Sequence, residues 1–200
     1  MSNRCQVQTQ NIAESESCGN NTSGVTTIYF APKSDITTIN ATRPANMSTY
    51  RDRVVIGSTT MEGMAITMPT GKGFGKMFCA DDLGELVYTP QGQKGSRSFK
   101  AELEIFHPSF KKDILGFLAT HNNQEMVIVA VLNNGEVHLL GTKQRGVSLA
   151  DSTRATSGKE YTSANGAECH FEWNTPAPQI FWDEFDPEDE NHGIPLIAEE

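Results

Sequence analysis

The segment that decides the fold is residues 97–141, RSFKAELEIFHPSFKKDILGFLATHNNQEMVIVAVLNNGEVHLLG. Apolar and polar residues alternate from Ser98 to Phe106, and a period of two predicts a strand with one buried face and one wet face. Apolar residues then recur at the spacing of one helical stripe, which predicts a helix at about residues 108–121. The members of that stripe are Phe110, Ile114, Phe117, Leu118 and His121.

The ends of this predicted helix and the chain after it are also defined by residue type. Pro108 suits the first position of a helix, and Ser109 is a favoured cap. Residues 126–132 and 136–141 are apolar runs that flank Asn133-Asn-Gly135, which predicts a hairpin. The whole segment is therefore strand, helix and hairpin, and it contains no catalytic motif.

The rest of the chain predicts further short strands. Residues 85–89 are expected to pair with the strand at 97–106 as an antiparallel hairpin, and residues 161–164 with 168–173 around Asn165-Gly166. Other strands are expected at residues 25–31, 53–57 and 63–68, and residues 76–80 are expected to form a short strand or a helical turn. With about nine or ten strands and one helix, the fold class is mainly β, a β-sandwich or barrel with one flanking helix and long loops.

Composition divides the chain into three parts. Residues 1–24 are polar and predict an N-terminal arm, residues 25–182 form the sandwich domain, and residues 183–200 predict a disordered acidic tail. The net charge is -9, and the tail holds eight acids without Lys or Arg, which leaves 17 acids against 16 bases in residues 1–182. Because a nucleic-acid-binding surface needs surplus cations, specific binding of DNA is not expected.

Neither catalysis, a cofactor nor a metal ion is expected from the residue patterns. The four cysteines are scattered and predict reduced thiols, with a Cys5–Cys18 bridge as the open alternative. A metal site built from Cys79, His107 and His170 across strands is a second open alternative. No apolar run is long enough for a bilayer, and residues 1–20 lack the apolar core of an export signal.

Three parts of the sequence carry a resemblance to a known family. They are Cys18-Gly19 with Gly24-Val-Thr-Thr-Ile-Tyr-Phe-Ala31, the strand–helix block above, and residues 131–141 continued by Ser157-Gly-Lys159 and Asn165-Gly166. Over about residues 18–175 the chain resembles the tail tube proteins of bacteriophages and prophages of Bacteroidetes-type bacteria.

The resemblance implies a virion structural protein that forms hexameric rings, assembled in the cytoplasm of the bacterial host. Such rings stack into a tube, with arms and loops bridging them and DNA passing through the lumen. The partners it implies are copies of the chain and other tail or connector proteins. A ring-forming head–tail connector or tail hub protein is the nearest alternative. A carbohydrate-binding β-sandwich, with Tyr161, Trp173 and Trp182 as stacking platforms, is the alternative from another class.

Charge placement predicts one intersubunit contact. The densest group of bases is expected around the strand and helix of the deciding segment, and acids follow the domain. In a ring, the acids of one subunit would lie against the bases of its neighbour, with a salt-sensitive contribution to assembly. The predicted interface residues are Lys94, Arg97, Lys100, Lys111 and Lys112 with Asp183, Glu184, Asp186, Glu188, Asp189 and Glu190.

Overall fold

Two mainly antiparallel sheets and one helix make up the fold. The structure, a computed structural model, describes residues 10, 23–45, 47–80, 83–160 and 164–197. The elements are β1 Val25–Pro32, β2 Thr38–Ile39, β3 Val55–Ile56, β4 Ile66–Thr67, β5 Gly75–Phe78, β6 Glu85–Gln91, β7 Ser98–His107, α1 Lys112–His121, β8 Met126–Leu132, β9 Val137–Leu140, β10 Ser148–Leu149, β11 Arg154–Thr156, β12 Gly166–Thr175 and β13 Ile180–Phe181. The prediction of a β-sandwich with one helix is confirmed.

The two sheets differ in how they are covered. The first, here the covered sheet, has the strand order β3-β13-β9-β8-β1-β5. The second, here the open sheet, has the order β10-β12-β7-β6, with β11 also paired to β12. Strands β2 and β4 form a small separate pair. One face of each large sheet packs against the other sheet, and α1 closes the same apolar core.

Strand β8 shows why the covered sheet is apolar on both sides. Its first five residues are all buried, with Ile128 in the core between the sheets and Val129 in a second core on the opposite face. That second core is roofed by segments before β5 and after β13, including Ile36, Ala65 and Ile194. A strand buried on both faces has a continuous apolar run rather than an alternating one, as residues 126–132 do.

Strand β7 alternates as its sequence predicts. Ala101, Leu103 and Ile105 are buried against the covered sheet, and Glu104 is exposed on the outer face. The predicted hairpin of β6 with β7 is confirmed, in the register Glu85 to Glu104. The hairpin of β8 with β9 is also confirmed, and Gly135 occupies its turn with a positive φ of 88°.

The predicted start of the helix is wrong. Helix α1 begins at Lys112 with Lys111 as its cap, and no side chain caps it. Ser109 lies instead in a tight turn, in which its N–H donates to the His107 carbonyl at 2.8 Å. That turn keeps the chain out of helical geometry until Lys111, and it leaves Phe110 partly exposed. The remaining stripe is as predicted, with Ile114, Phe117 and His121 buried and Leu118 packed against the same core.

The predicted closing hairpin is wrong in its partner strand. Residues 161–163 lie outside the described residues, and β12 pairs with β11, with Thr156 opposite Gly166. Gly166 is therefore the first residue of β12 and not part of a two-residue turn. A glycine is needed there because an added Cβ would lie 2.4 Å from the His107 carbonyl oxygen.

The acidic tail is part of the fold over residues 183–197, which corrects the prediction of a disordered appendage. Phe185 stacks on Phe181 with ring centroids 3.9 Å apart, and Ile194 is 2% exposed. The backbone of Leu196 forms a parallel bridge with Phe74 beside β5. Apolar residues between the acids therefore dock this segment on the covered sheet. The predicted N-terminal arm lies outside the described residues except for Gln10 and residues 23–24.

Candidate functional site

The predicted basic interface does not form one patch. Lys94 and Arg97 lie in the connection before β7, while Lys111 and Lys112 lie after its end, at the start of α1. Since β7 has ten residues and a strand rises about 3.3 Å per residue, the two pairs are separated by about 30 Å. Only proximity in the sequence suggested a common surface.

Lys100, the fifth basic residue of that prediction, is engaged within its own chain. Its Nζ donates to Glu102 at 2.7 Å and lies 3.0 Å from Glu172. The hydrogen bond to Glu102, followed by that to Glu172, raises the pKa of Lys100. Because Glu102 and Glu172 are directly opposite each other on β7 and β12, the ammonium neutralises a like-charge pair of its own sheet.

Several acids of the predicted interface are also used within the chain. Glu188 accepts hydrogen bonds from the Lys76 ammonium and the Tyr29 hydroxyl, both at 2.6 Å, and both contacts lower the pKa of Glu188. Asp183 pairs with Arg51.

Two other acids of the tail form turns. Asp186 and Asp189 accept backbone N–H groups of Glu188 and Asn191. Two more acids, Glu184 and Glu190, are exposed. The contact of the tail with the basic residues of a neighbouring subunit stays a prediction.

The outer face of the open sheet carries a surplus of carboxylates. Cross-strand neighbours share a face, so Glu85, Glu104 and His170 form one row across β6, β7 and β12. The same face carries two described cations, Lys100 and Arg154, against five carboxylates: Glu85, Glu102, Glu104, Glu168 and Glu172. The pattern of one strand could predict two of these acids, but the rows depend on strand pairing between distant parts of the chain.

This face also holds a contact between a histidine and a carboxylate beside a cavity. His170 Nδ1 lies 3.0 Å from a carboxylate oxygen of Glu104, beside a cavity of about 300 Å³ that Phe106 and Glu168 also line. Among the described residues that line this cavity there is no Ser, Cys, Thr or Lys to act as a nucleophile. The pair is a contact between an imidazole and a carboxylate at the surface.

The edges of the two sheets differ as well. At one edge of the covered sheet, Phe74 next to β5 exchanges backbone hydrogen bonds with Pro195 and Ile197. At the other edge, the N–H of Gly57 beyond β3 donates to the Thr42 carbonyl. Strand β6 of the open sheet pairs with β7, and no other described strand lies on its outer side. Seven residues of backbone thus form an exposed sheet edge.

The cysteines and histidines of the metal-site alternative have other surroundings in the structure. Cys79 and Cys169 are buried free thiols, and burial raises the pKa of each to about 12. His107 Nδ1 contacts the Phe78 carbonyl at 2.9 Å. Within the described ranges, no group of three or more His, Cys, Asp or Glu side chains is arranged to hold a metal ion. Cys5 and Cys18 lie outside those ranges.

The structure contradicts part of the carbohydrate-binding alternative, which needs exposed aromatic side chains. Trp173 is 3% exposed in the core between the sheets, so a sugar ring cannot stack on it. Trp182 is partly buried against Phe181 and Phe185, and Tyr161 is outside the described residues. The sequence alone does not assign the alternation of this strand to a face of the sheet, so the carbohydrate alternative includes Trp173.

Comparisons with protein-family models, curated proteins and solved structures find no match to this chain. Among the residues described here, no helix is long and apolar enough to cross a membrane.

Proposed function

We propose that this chain is a structural protein of a bacteriophage virion, the tail tube subunit whose rings stack into a tube that conducts DNA. The observation that carries the proposal is the exposed edge of β6 in a sheet whose outer face is also uncovered. A ring of copies pairs each such edge with the next subunit, which removes exposed edges by closure. The resemblance to tail tube proteins is the reason for choosing this assembly among possible rings.

The joint between subunits is most simply made by β6 of one copy and the far edge of the open sheet in the next. That far edge consists of β10 and β11, which are two and three residues long. Pro90 has no N–H to donate, so pairing would use Glu85–Thr89 of β6. A continuous sheet would then run around the ring.

The charge of the open sheet suits a wall along which DNA slides. If its outer face lined the lumen, five carboxylates and two cations per subunit would meet the phosphates. Each phosphate that a cation neutralises adds to affinity, so a wall with surplus carboxylates holds DNA weakly. DNA is then a passenger and not a specifically bound ligand.

Electron microscopy of the purified full-length chain tests this proposal. Negative staining should show rings about 100 Å wide, the scale of a ring of small domains, which stack into tubes. Closed single rings that never stack would favour the head–tail connector or tail hub alternative. A strictly monomeric species at high concentration, unchanged by other tail components, would contradict every ring-forming function.

A matched pair of variants tests the edge itself. Val87 on β6 and Leu115 on α1 are exposed to similar extents, 37% and 39%. Val87→Lys places a charge on the edge strand and should abolish rings, because lysine on a strand edge opposes pairing. Leu115→Lys should leave ring formation intact. Equal assembly of the two variants, with unchanged thermal melting, would place the joint elsewhere.

A further inference from the structure

A cavity of about 400 Å³ lies beside the covered sheet, between the segment after β2 and the loop after β9, and its apolar wall is formed by Ile39, Ala41 and Ile56. It is lined by two cations, Arg43 and Lys143, together with threonine hydroxyls and the amides of Gln144 and Gln179. No Asp or Glu is among the described residues that line it. Cavities of about 300–1,000 Å³ with a few convergent polar groups are typical of ligand sites.

Arg43 is held in place but incompletely paired. Its Nη2 donates to the carbonyls of Ala177 and Pro178 at 3.0 and 3.1 Å, which anchors the guanidinium. Its Nε is buried and has no hydrogen-bond partner. Burial of the group also lowers the pKa of Arg43. A buried donor without an acceptor is costly, and a guanidinium retains its positive charge in proteins.

Lys143, the second cation, also forms no ion pair with a carboxylate of the described residues. Its Nζ donates to the Thr37 carbonyl at 2.6 Å, which uses one of its three N–H donors. Neither Lys143 nor Arg43 has an acid of the described residues within ion-pair distance. Six other described cations do have one: Lys33, Arg51, Lys72, Lys76, Lys100 and Arg154.

The two cations of the lining, with no carboxylate of the described lining beside them, define the chemistry of a ligand. Arginine and lysine bind carboxylate through short, charge-assisted hydrogen bonds. A simple inorganic anion would fill a small part of the cavity, and the neighbouring hydroxyl and amide groups suit peptide N–H and C=O groups. A nucleic acid is disfavoured, because two cations on a chain of net charge -9 give little attraction for a polyanion.

We propose that this cavity binds the carboxylate side chain of a peptide segment, with the carboxylate on Arg43 and Lys143. The site is separate from the β6 edge and does not depend on the proposed tail tube function. The carboxylate has two sources, an acidic segment of a second copy of this chain or a separate acidic peptide.

Thermal melting of the full-length chain tests the site with N-acetylglutamate α-amide as the probe. The neutral isostere N-acetylglutamine α-amide and inorganic phosphate serve as comparison compounds. The carboxylate probe should raise the melting temperature in a dose-dependent way, because a ligand of the folded state stabilises it. The neutral isostere should not. An equal rise with the isostere, or a rise with phosphate alone, would overturn the proposal.

Variants assign the effect to the cavity. Arg43→Gln and Lys143→Gln should each weaken the apparent affinity of the probe by at least about tenfold, since each removes a charged hydrogen bond. Lys94→Gln removes an exposed charge outside the cavity and should bind as the natural chain does. If Arg43→Gln does not fold, Lys143→Gln decides alone. Unchanged affinity in Lys143→Gln would contradict the assignment.

Sedimentation separates the two sources. With an acidic segment of a second copy as the source, excess probe competes and reduces self-association of the natural chain, and the probe leaves Lys143→Gln unaffected. With a separate peptide as the source, the probe raises the melting temperature without changing the sedimentation of the chain.

Discussion

The covered sheet and the open sheet differ in how much of their surface the chain itself covers. Each has one face in the common core, but the other face of the covered sheet is roofed by the chain's own segments, whereas that of the open sheet carries charges. Next to each edge strand of the covered sheet, Phe74 and Gly57 hydrogen-bond to the chain's own backbone, whereas the open sheet ends at the seven-residue strand β6. The difference shows where the chain covers its own sheet and where, under the proposed function, a neighbouring subunit would pair.

The largest expected effect is on the roof of the covered sheet. Ile194→Ala should lower the free energy of unfolding by about 2–5 kcal/mol, because the side chain is buried in the second core. Ile197→Ala is the matched control, since Ile197 is 61% exposed, and it should change stability by less than about 0.5 kcal/mol. Urea denaturation measures both. Equal, small effects would mean that residues 183–197 are not part of the folded unit.

The Tyr29–Glu188 contact that fastens this roof should have a smaller effect. Tyr29→Phe removes the hydrogen bond from a buried hydroxyl and should cost about 1 kcal/mol at pH 7. Urea denaturation again measures the loss. Stability equal to that of the natural chain would show that Glu188 does not hold the segment in solution.

The same contact should be sensitive to acid. The pKa of Glu188 is lowered in the fold, so its stabilising contribution is complete above the ordinary glutamate value of about 4.3 and is lost as the pH falls through the lowered value. Glu188→Gln should therefore be less stable than the natural chain at pH 7, and the gap should close below about pH 4. The exposed Glu190→Gln should follow the natural chain throughout. A gap that stays constant with pH would contradict the contact.

The smallest expected effect is on the face of the open sheet. Lys100→Gln leaves Glu102 and Glu172 opposite each other without their shared cation, so the melting temperature should fall at low salt. The decrease should shrink at high salt, because exposed charges are screened. Lys94→Gln should show no such decrease. A salt-independent loss in Lys100→Gln would indicate that packing of the side chain matters more than its charge.

The sequence predicts those parts of the fold that depend on local periodicity. The alternation in β7 and the apolar run of β8 were sufficient to assign both strands, and the Asn133-Asn-Gly135 turn was sufficient for their neighbour β9. The helix start was not predictable in this way, because a backbone turn between Ser109 and His107 competes with capping.

Long-range contacts explain the other errors. The role of Gly166 depends on its close approach to β7, which no neighbouring residue reveals. The charge of the tail predicts disorder. In the structure, Phe185 and Ile194 pack in the second core against a sheet built from distant segments. The basic residues were grouped by sequence proximity, and a ten-residue strand separates them. For the candidate site, the sequence gives the individual glutamates. It does not predict that they share the outer face of the open sheet, because that depends on the pairing of distant strands.

The folded tail determines which variants can test the predicted charge contact between subunits. Truncation after Trp182 would remove Phe185 and Ile194 from the second core, so weakened assembly would follow from instability alone. Substituting the exposed Glu184 and Glu190 by Gln leaves that core intact. Assembly at low salt should weaken in the double variant if these acids contact a neighbour.

Hydrogen exchange of the backbone, compared between dilute and assembled protein, tests the central claim most directly. The account predicts that amides of β6 exchange quickly in the dilute chain and become protected on assembly, because a neighbouring strand accepts their hydrogen bonds. The amide of Phe74 next to β5, which already donates to the Pro195 carbonyl, should change little. Assembly that leaves β6 exchange unchanged would contradict the role of the open sheet as the joint between subunits.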